Sequence, residues 1–199
     1  RPDAILICGD VYDKSIPSGE AFSMFGHFLE QISETGIPAL IIAGNHDSPE
    51  RLGFAGPLLE KGRIFLSSFP PSKEGEHLKK VTLKDRWGNV NFYLFPFMRP
   101  GYVRPLLRAE GREYEDTYDG AFRAVLERET IDTSERNVIL CHQFFTSSSG
   151  DPETCESETA VLTAGGLDAI GSSALDLFDY AALGHIHGPQ KAGRETVRY

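Results

Sequence analysis

An α/β domain is the fold class this sequence predicts, and three observations carry the prediction. Four short apolar runs, "AILICGD" (4–10), "ALIIAGNHD" (39–47), "NVILCHQ" (137–143) and "YAALGHIHG" (180–188), are rich in Ile, Val, Leu and Ala and do not alternate with polar residues. Runs of that kind suit strands buried on both faces. A stretch of helical period separates the first two, and a later segment alternates about a tight turn, so strands and helices intermix along the chain. Each apolar run also ends in Gly or Cys followed at once by Asp, Asn or His. In open α/β sheets ligands collect beyond the carboxyl ends of the strands, which makes those exits the expected place for chemistry.

Taken in order, residues 4–10 supply the first strand and "SGEAFSMFGHFLEQISETG" (18–36) an amphipathic helix. Ser18 is its N-cap, Phe22, Phe25, Phe28, Leu29 and Ile32 form its apolar stripe, and Gly36 with Pro38 stops it. The second strand follows at 39–47, then a shorter helix over 49–61 that is interrupted near Gly56-Pro57. "HLKKVTLKDRWGNVNFYLFPF" (77–97) alternates on both sides of "DRWGN" and reads as a β-hairpin. Trp87 in its turn is expected as a packed turn aromatic, with base stacking as the alternative. A helix near 117–131 leads into the third buried run, and the polar stretch 146–159 reads as a surface loop before the fourth. No internal repeat or domain boundary interrupts the 199 residues, a length that suits one domain. Periodicity alone leaves the number of sheets open.

Composition is that of an ordinary globular chain, with 40% apolar and 25% charged residues. No uninterrupted apolar run approaches the length of about 18 residues that a membrane span needs. The start at Arg1-Pro2-Asp3, without a methionine, reads as an internal piece of something longer. Cysteines at 8, 141 and 155 match neither a disulfide framework nor a zinc-ribbon spacing, and Cys8 and Cys141 are expected as small buried hydrophobes. A reducing cytoplasm fits that usage. The net charge of −9 argues against a nucleic-acid binder, although acidic metal ligands contribute to it, and two divalent cations would return about +4. Arg99, Arg104, Arg108 and Arg112, with Tyr102, are the basic cluster of note.

The strand exits together offer Asp10 and Asp13 from "GDVYD", Asn45, His46 and Asp47 from "GNHD", His142 from "CHQ", and His185 and His187 from "GHIH". Four of the chain's six histidines fall in this set, which makes coincidence a poor explanation. Mixed oxygen and nitrogen donors suit Mn, Fe or Zn better than Ca. Paired cations on such donors would serve hydrolysis, by lowering the pKa of a bound water and neutralising charge that builds on the substrate. A carboxylate shared between the cations holds them close, and Asp10 is the candidate.

The ordered set G-D-x-x-D, G-N-H-D, H and G-H-x-H resembles the calcineurin-like metallophosphoesterase family. "RPDAILICGDVYD", "AGNHDSPERL", "FPFMRP" and "DYAALGHIHGPQKAGRETVRY" are similar, within it, to the SbcD subfamily of nuclease subunits. The resemblance implies a β-sandwich flanked by helices, with a first strand and its D-x-H motif ahead of Arg1 and further strands and a cap beyond Tyr199. Residues 1–199 are then a metallophosphoesterase domain truncated at both ends. It implies one metal site made of Asp10, Asn45, His142 and His185, and half of a second made of Asp10 and His187, with Mn²⁺ as the ion. His46 would serve catalysis by giving a proton to the leaving oxygen, and Asp13 would fix its tautomer by accepting its hydrogen bond. Asp47 has two readings, a share in function or bonding of backbone amides in its turn. The implied activity is hydrolysis of DNA ends and hairpins. The implied partners are DNA, a coiled-coil ATPase of the SbcC kind and a second nuclease subunit, as a homodimer within a heterotetramer. ATP would bind the partner, since this chain has no phosphate-binding G-x-x-x-x-G-K-[ST] loop. Two alternatives remain: a phosphoesterase for small molecules or phosphoproteins, and a non-catalytic, metal-poor scaffold that docks an ATPase.

Overall fold

Two sheets stacked face to face, with helices on both outer sides, make up the computed structural model, which describes residues 1–147, 153 and 168–199. The first sheet has the order β1-β2-β3, formed by Ile5–Cys8, Ala39–Ile42 and Ile64–Ser67, all parallel. Parallel pairing needs a crossover, and the helix α1 (Gly19–Thr35) provides the one between β1 and β2. The short helices α2 (Pro49–Gly53) and α3 (Gly56–Leu59) fill the next one.

The second sheet comes from the hairpin β4 (Lys79–Asp85) and β5 (Gly88–Phe95), then β6 (Arg136–His142). Helices α4 (Pro100–Ala109) and α5 (Tyr118–Leu126) lie between β5 and β6 in the chain. A two-residue parallel pair, β7 (Phe145–Thr146) and β8 (Ile170–Gly171), stands apart. With β9 (Tyr180–Gly184) and β10 (Val197–Arg198) the second sheet reads β10-β9-β6-β5-β4, and β4 is its one antiparallel strand.

Side-chain alternation explains the unalternating sequence. Along β2, Leu40 and Ile42 face the other sheet and pack with Phe92, Leu94 and Leu140, whereas Ala39 and Ile41 face the helices with Leu29, Ile32 and Leu52. Along β5 the same split sends Tyr93 and Phe95 outward against Val103, Phe122 and Val125 of α4 and α5. Both faces of these strands are therefore core, and truncating a side chain such as Leu40 to Ala would cost about 2–5 kcal/mol.

Most expected elements stand where the sequence placed them. Ser18 caps α1 by accepting from the Ala21 amide, and Gly36 ends it in the left-handed conformation. The stripe on α1 differs in part, because Leu29 and Ile32 are buried but Phe22 is 48% and Phe28 42% exposed. Those rings stack instead into an outer aromatic group with Tyr12 and Phe25, beside exposed Met24, Phe54 and Leu58. Trp87 also departs from expectation: it is 70% exposed rather than packed. The expected loop at 146–159 lies mostly outside the described residues, as does Cys155. Among the described residues no helix is long and apolar enough to cross a membrane.

Candidate metal centre

Register brings the four loaded strand exits to one edge of the sandwich. Cys8 pairs with Ile42 across the first sheet and His142 with Gly184 across the second, so the segments that follow leave side by side. At that edge His142 Nε2 lies 3.0 Å from Asn45 Oδ1 and 3.2 Å from Asp10 Oδ2, and His185 Nδ1 lies 2.9 Å from the same Asn45 oxygen. The two imidazoles meet edge to face with centroids 5.3 Å apart. Asp10, Asn45, His142 and His185 are thus gathered from three loops and a strand end. His187 sits two residues beyond His185 and is exposed.

Three glycines let these groups approach. A Cβ on Gly44 would lie 2.2 Å from Asp10 Oδ1, one on Gly184 would lie 1.9 Å from the Cys8 carbonyl oxygen, and one on Gly9 would lie 2.3 Å from His142 Nδ1. The glycine before each polar residue is therefore a steric requirement of the site. Backbone conformation tells the same story, since Asp10 (φ 50°) and His185 (φ 93°) are two of the three non-glycine residues with positive φ among those described. Left-handed backbone costs of order 1–3 kcal/mol and persists where the surroundings enforce it.

Hydrogen bonding fixes how the donors are presented. The His142 Nδ1–H donates to the Cys8 carbonyl at 2.6 Å, which leaves Nε2 as the ring atom facing Asn45 and Asp10. With the Asn45 oxygen on this side, a neutral ring points a lone pair at two oxygens, a repulsion that a proton or a metal cation between them relieves. Burial raises the Asp10 pKa, but a proton on His142 Nε2, donated to Asp10, and the His46 amide, donating to Oδ1 at 2.9 Å, outweigh it and leave the carboxyl below its ordinary value. An ionised carboxylate, an amide oxygen and two imidazole nitrogens spaced 2.9–3.2 Å apart fit a small divalent ion, whose adjacent ligands lie about 3 Å apart when bonds are about 2.1 Å. Among the described residues no three His, Cys, Asp or Glu side chains alone form such a group; the Asn45 amide is the donor that joins these.

One neighbour differs from expectation, and another settles between two readings. The Asp13 carboxylate does not receive His46, because His46 Nδ1 donates to the Asp13 main-chain carbonyl at 3.1 Å while the Asp13 residue is exposed. Tautomer control of His46 thus comes from the fold of the "GDVYD" loop. Asp47 is 5% exposed and accepts from the amides of Val11 (3.2 Å), Tyr12 (2.9 Å) and Gly44 (2.8 Å). Of its two readings, amide bonding is the one seen, and it ties the loop after β1 to the loop after β2.

The family model for calcineurin-like phosphoesterases matches residues 1–189. The chain belongs to this family. The SbcD subunits of the SbcCD nucleases of Staphylococcus epidermidis and Staphylococcus saprophyticus are each 30% identical to this phosphoesterase over 202 aligned positions, covering all of it and 50% of each of them. The phosphoesterase therefore spans about half the length of the curated relatives it matches.

Sequence reasoning missed part of the wall around the donors. Phe97 packs edge-on against the His142 ring at 6.3 Å, its amide donates to the Ala43 carbonyl, and the Arg99 guanidinium lies 5.9 Å from its ring. Buried Gln143 donates to the Met98 carbonyl at 2.7 Å, locking the "FPFMRP" stretch beside the end of β6. That stretch was visible as a motif, but nothing local linked it to His142. The remaining arginines of the basic cluster are partly spent within the fold of the phosphoesterase: Arg104 makes a bidentate pair with Asp116, and Arg112 faces Glu110 and Glu127.

Proposed function

We propose that this phosphoesterase is a Mn²⁺-dependent DNA nuclease that hydrolyses phosphodiester bonds at DNA ends and hairpins. Convergence of Asp10, Asn45, His142 and His185, with His142 Nε2 turned by the Cys8 carbonyl toward two oxygens, is the observation that carries it. A divalent cation held there supplies Lewis acidity, neutralising charge on the phosphate oxygens and making water a stronger acid. Asp10, as a carboxylate, could be shared with a second ion, and His187, two residues beyond His185, would be that ion's candidate ligand. His46 does not join the donors: its Nδ1–H is committed to the Asp13 carbonyl, so Nε2 is the atom that exchanges a proton with the leaving oxygen. Phe97 packs edge-on against His142, and Arg99, 5.9 Å from the Phe97 ring, is a candidate phosphate contact.

The choice of DNA over a small phosphoester leans on the likeness to the SbcD subunits of SbcCD nucleases. So does the proposal of a coiled-coil ATPase partner of the SbcC kind. A homodimer of nuclease subunits is further supported by the outward face of α1, α2 and α3, where Phe22, Met24, Phe28, Phe54 and Leu58 are exposed around hollows of ≈ 550 and ≈ 510 Å³. Contiguous apolar surface of that sort marks protein contact. A cytoplasmic location is supported by free Cys8 and Cys141.

Calorimetry with Mn²⁺, run beside digestion of linear DNA and of a chromogenic phosphomonoester, tests the reading. His142→Ala and His185→Ala should weaken metal binding and abolish cleavage, and His46→Ala should lose turnover while binding metal nearly normally. Monoester hydrolysis without DNA cleavage would move the substrate to small phosphoesters or phosphoproteins. Absence of any Mn²⁺ binding would favour the scaffold.

A further inference from the structure

The opposite end of the sandwich carries a cleft that the metal centre does not use. β5 runs parallel to β6 with Val90 beside Arg136, and His142 stands six residues further along β6, so at about 3.3 Å per residue the hairpin turn is roughly 20 Å from the donors. Here the layer between the sheets opens to a cleft of ≈ 610 Å³ floored by Leu83, Val90 and Phe92. Its rim holds Arg63, Lys84, Arg86 and Trp87, all exposed.

Two properties single this rim out in a chain of net charge −9. Among the described residues, Arg63, Lys84 and Arg86 have no carboxylate within salt-bridge distance, whereas Asp85 beside them is taken by Arg136 at 2.6 and 2.8 Å. Asp3 is the remaining carboxylate of the lining. Trp87 is 70% exposed, and the Arg86 guanidinium sits 3.8 Å from its ring centroid. The Trp87 backbone amide donates to Asp85 at 2.8 Å, which orders the turn that carries the indole. An exposed indole with Arg86 against one face, beside the unpaired Arg63 and Lys84 and an apolar floor, suits a ligand that joins flat rings to a chain of negative charges.

We propose that this cleft is a binding site for single-stranded nucleic acid, with a base stacked on Trp87 and phosphates set against Arg63, Lys84 and Arg86. Stacking on an aromatic platform inside a positive groove is the general means of holding unpaired strands without reading sequence. An acidic polypeptide would use the cations but gain nothing from the indole. The ligand class is taken from the cleft alone, so it stands independently of the hydrolytic reading.

Anisotropy of a fluorescein-labelled oligothymidylate of about a dozen nucleotides, titrated with the full chain in EDTA, tests this without any cleavage. Trp87→Leu is expected to weaken binding about tenfold and Trp87→Phe to restore most of it. Lys84→Gln with Arg86→Gln should reduce the steepness of the salt dependence by about one unit of log–log slope. Subtracting the emission of Trp87→Phe isolates the Trp87 signal, which the oligonucleotide should quench. Unchanged affinity in Trp87→Leu, or polyglutamate binding as tightly as the oligonucleotide, would overturn the proposal. Metal-dependent hydrolysis of a small chromogenic diester should be the same in Trp87→Leu as in the parent, so loss of one site is distinguishable from loss of the other.

Discussion

Adding one methyl group at Gly184 should disable the centre without touching a donor. A Cβ there would lie 1.9 Å from the Cys8 carbonyl oxygen, against 3.4 Å or more for ordinary contact, so β1 and β9 must part by about 1.5 Å. Overpacking of that kind costs about 1–3 kcal/mol. The displaced carbonyl is also the acceptor for His142 Nδ1 at 2.6 Å, and losing that bond adds about 1 kcal/mol. Gly184→Ala should therefore lower the unfolding free energy by about 2–4 kcal/mol, out of the 5–15 kcal/mol typical of a domain. It should also turn the imidazole and weaken Mn²⁺ binding. Urea denaturation followed by circular dichroism measures the first effect, calorimetry the second. Gly26→Ala is the matched control: a Cβ there meets nothing, and α1 should gain up to about 1 kcal/mol from the better helix former. If Gly184→Ala unfolds at the parent's urea midpoint and binds Mn²⁺ as tightly, the steric account of the strand exits is wrong.

Asp47→Asn should destabilise the chain by about 2 kcal/mol, because one amide oxygen cannot replace two carboxylate oxygens that serve Val11, Tyr12 and Gly44; parent-like urea unfolding would refute this. Burial pushes the Cys8 thiol up to about 12 and Cys141 well above its ordinary range, so at pH 8 neither should alkylate with iodoacetamide until denaturant is added, as read by site-resolved mass spectrometry. The Arg136 hydrogen bonds hold the Asp85 carboxyl down to about 2 from 3.8, so their contribution to stability is complete above pH 3.8 and is lost as pH falls through about 2. Carboxyl NMR should place the Asp85 midpoint near 2 in the parent and higher in Arg136→Gln, where the Trp87 amide bond and Arg86 still hold it below 3.8; equal midpoints would show that the pair does not form in solution.

How much of this was legible in the sequence depends on whether the signal was local. The runs that became β1, β2, β6 and β9 announce themselves by composition, and α1 carries its own cap and stop in Ser18 and Gly36. β3 and α4 were not anticipated. "IFLS" lacks a polar exit like the others, and α4 opens at Pro100 and contains Pro105, residues that read as breakers although proline is well suited to a first helical turn. Division into two sheets lies in which strands pair, which no window along the chain records. The centre shows the same pattern. The convergence of Asp10, Asn45, His142 and His185 was legible from four matching exits, whereas Phe97 against His142 and the Asp13 carbonyl under His46 depend on approaches between segments 45 and 33 residues apart.

The glycine–donor pairs explain why fold and centre are one object. Each pair, Gly9-Asp10, Gly44-Asn45 and Gly184-His185, places a residue without a side chain where two sheets nearly touch, and a polar residue immediately after it. The inter-sheet core of Leu40, Ile42, Phe92, Leu94 and Leu140 pulls those glycines together, burying apolar surface worth far more than the strain at Asp10 and His185 costs. Position of the donors is consequently set by hydrophobic packing between the sheets, and a loose core would mean a loose centre. The same packing leaves the far end of the sandwich open around Trp87, where no glycine draws the sheets together and the chain instead presents cations. Binding strands at one end and holding electron-pair donors at the other are two outcomes of a single layer of apolar side chains.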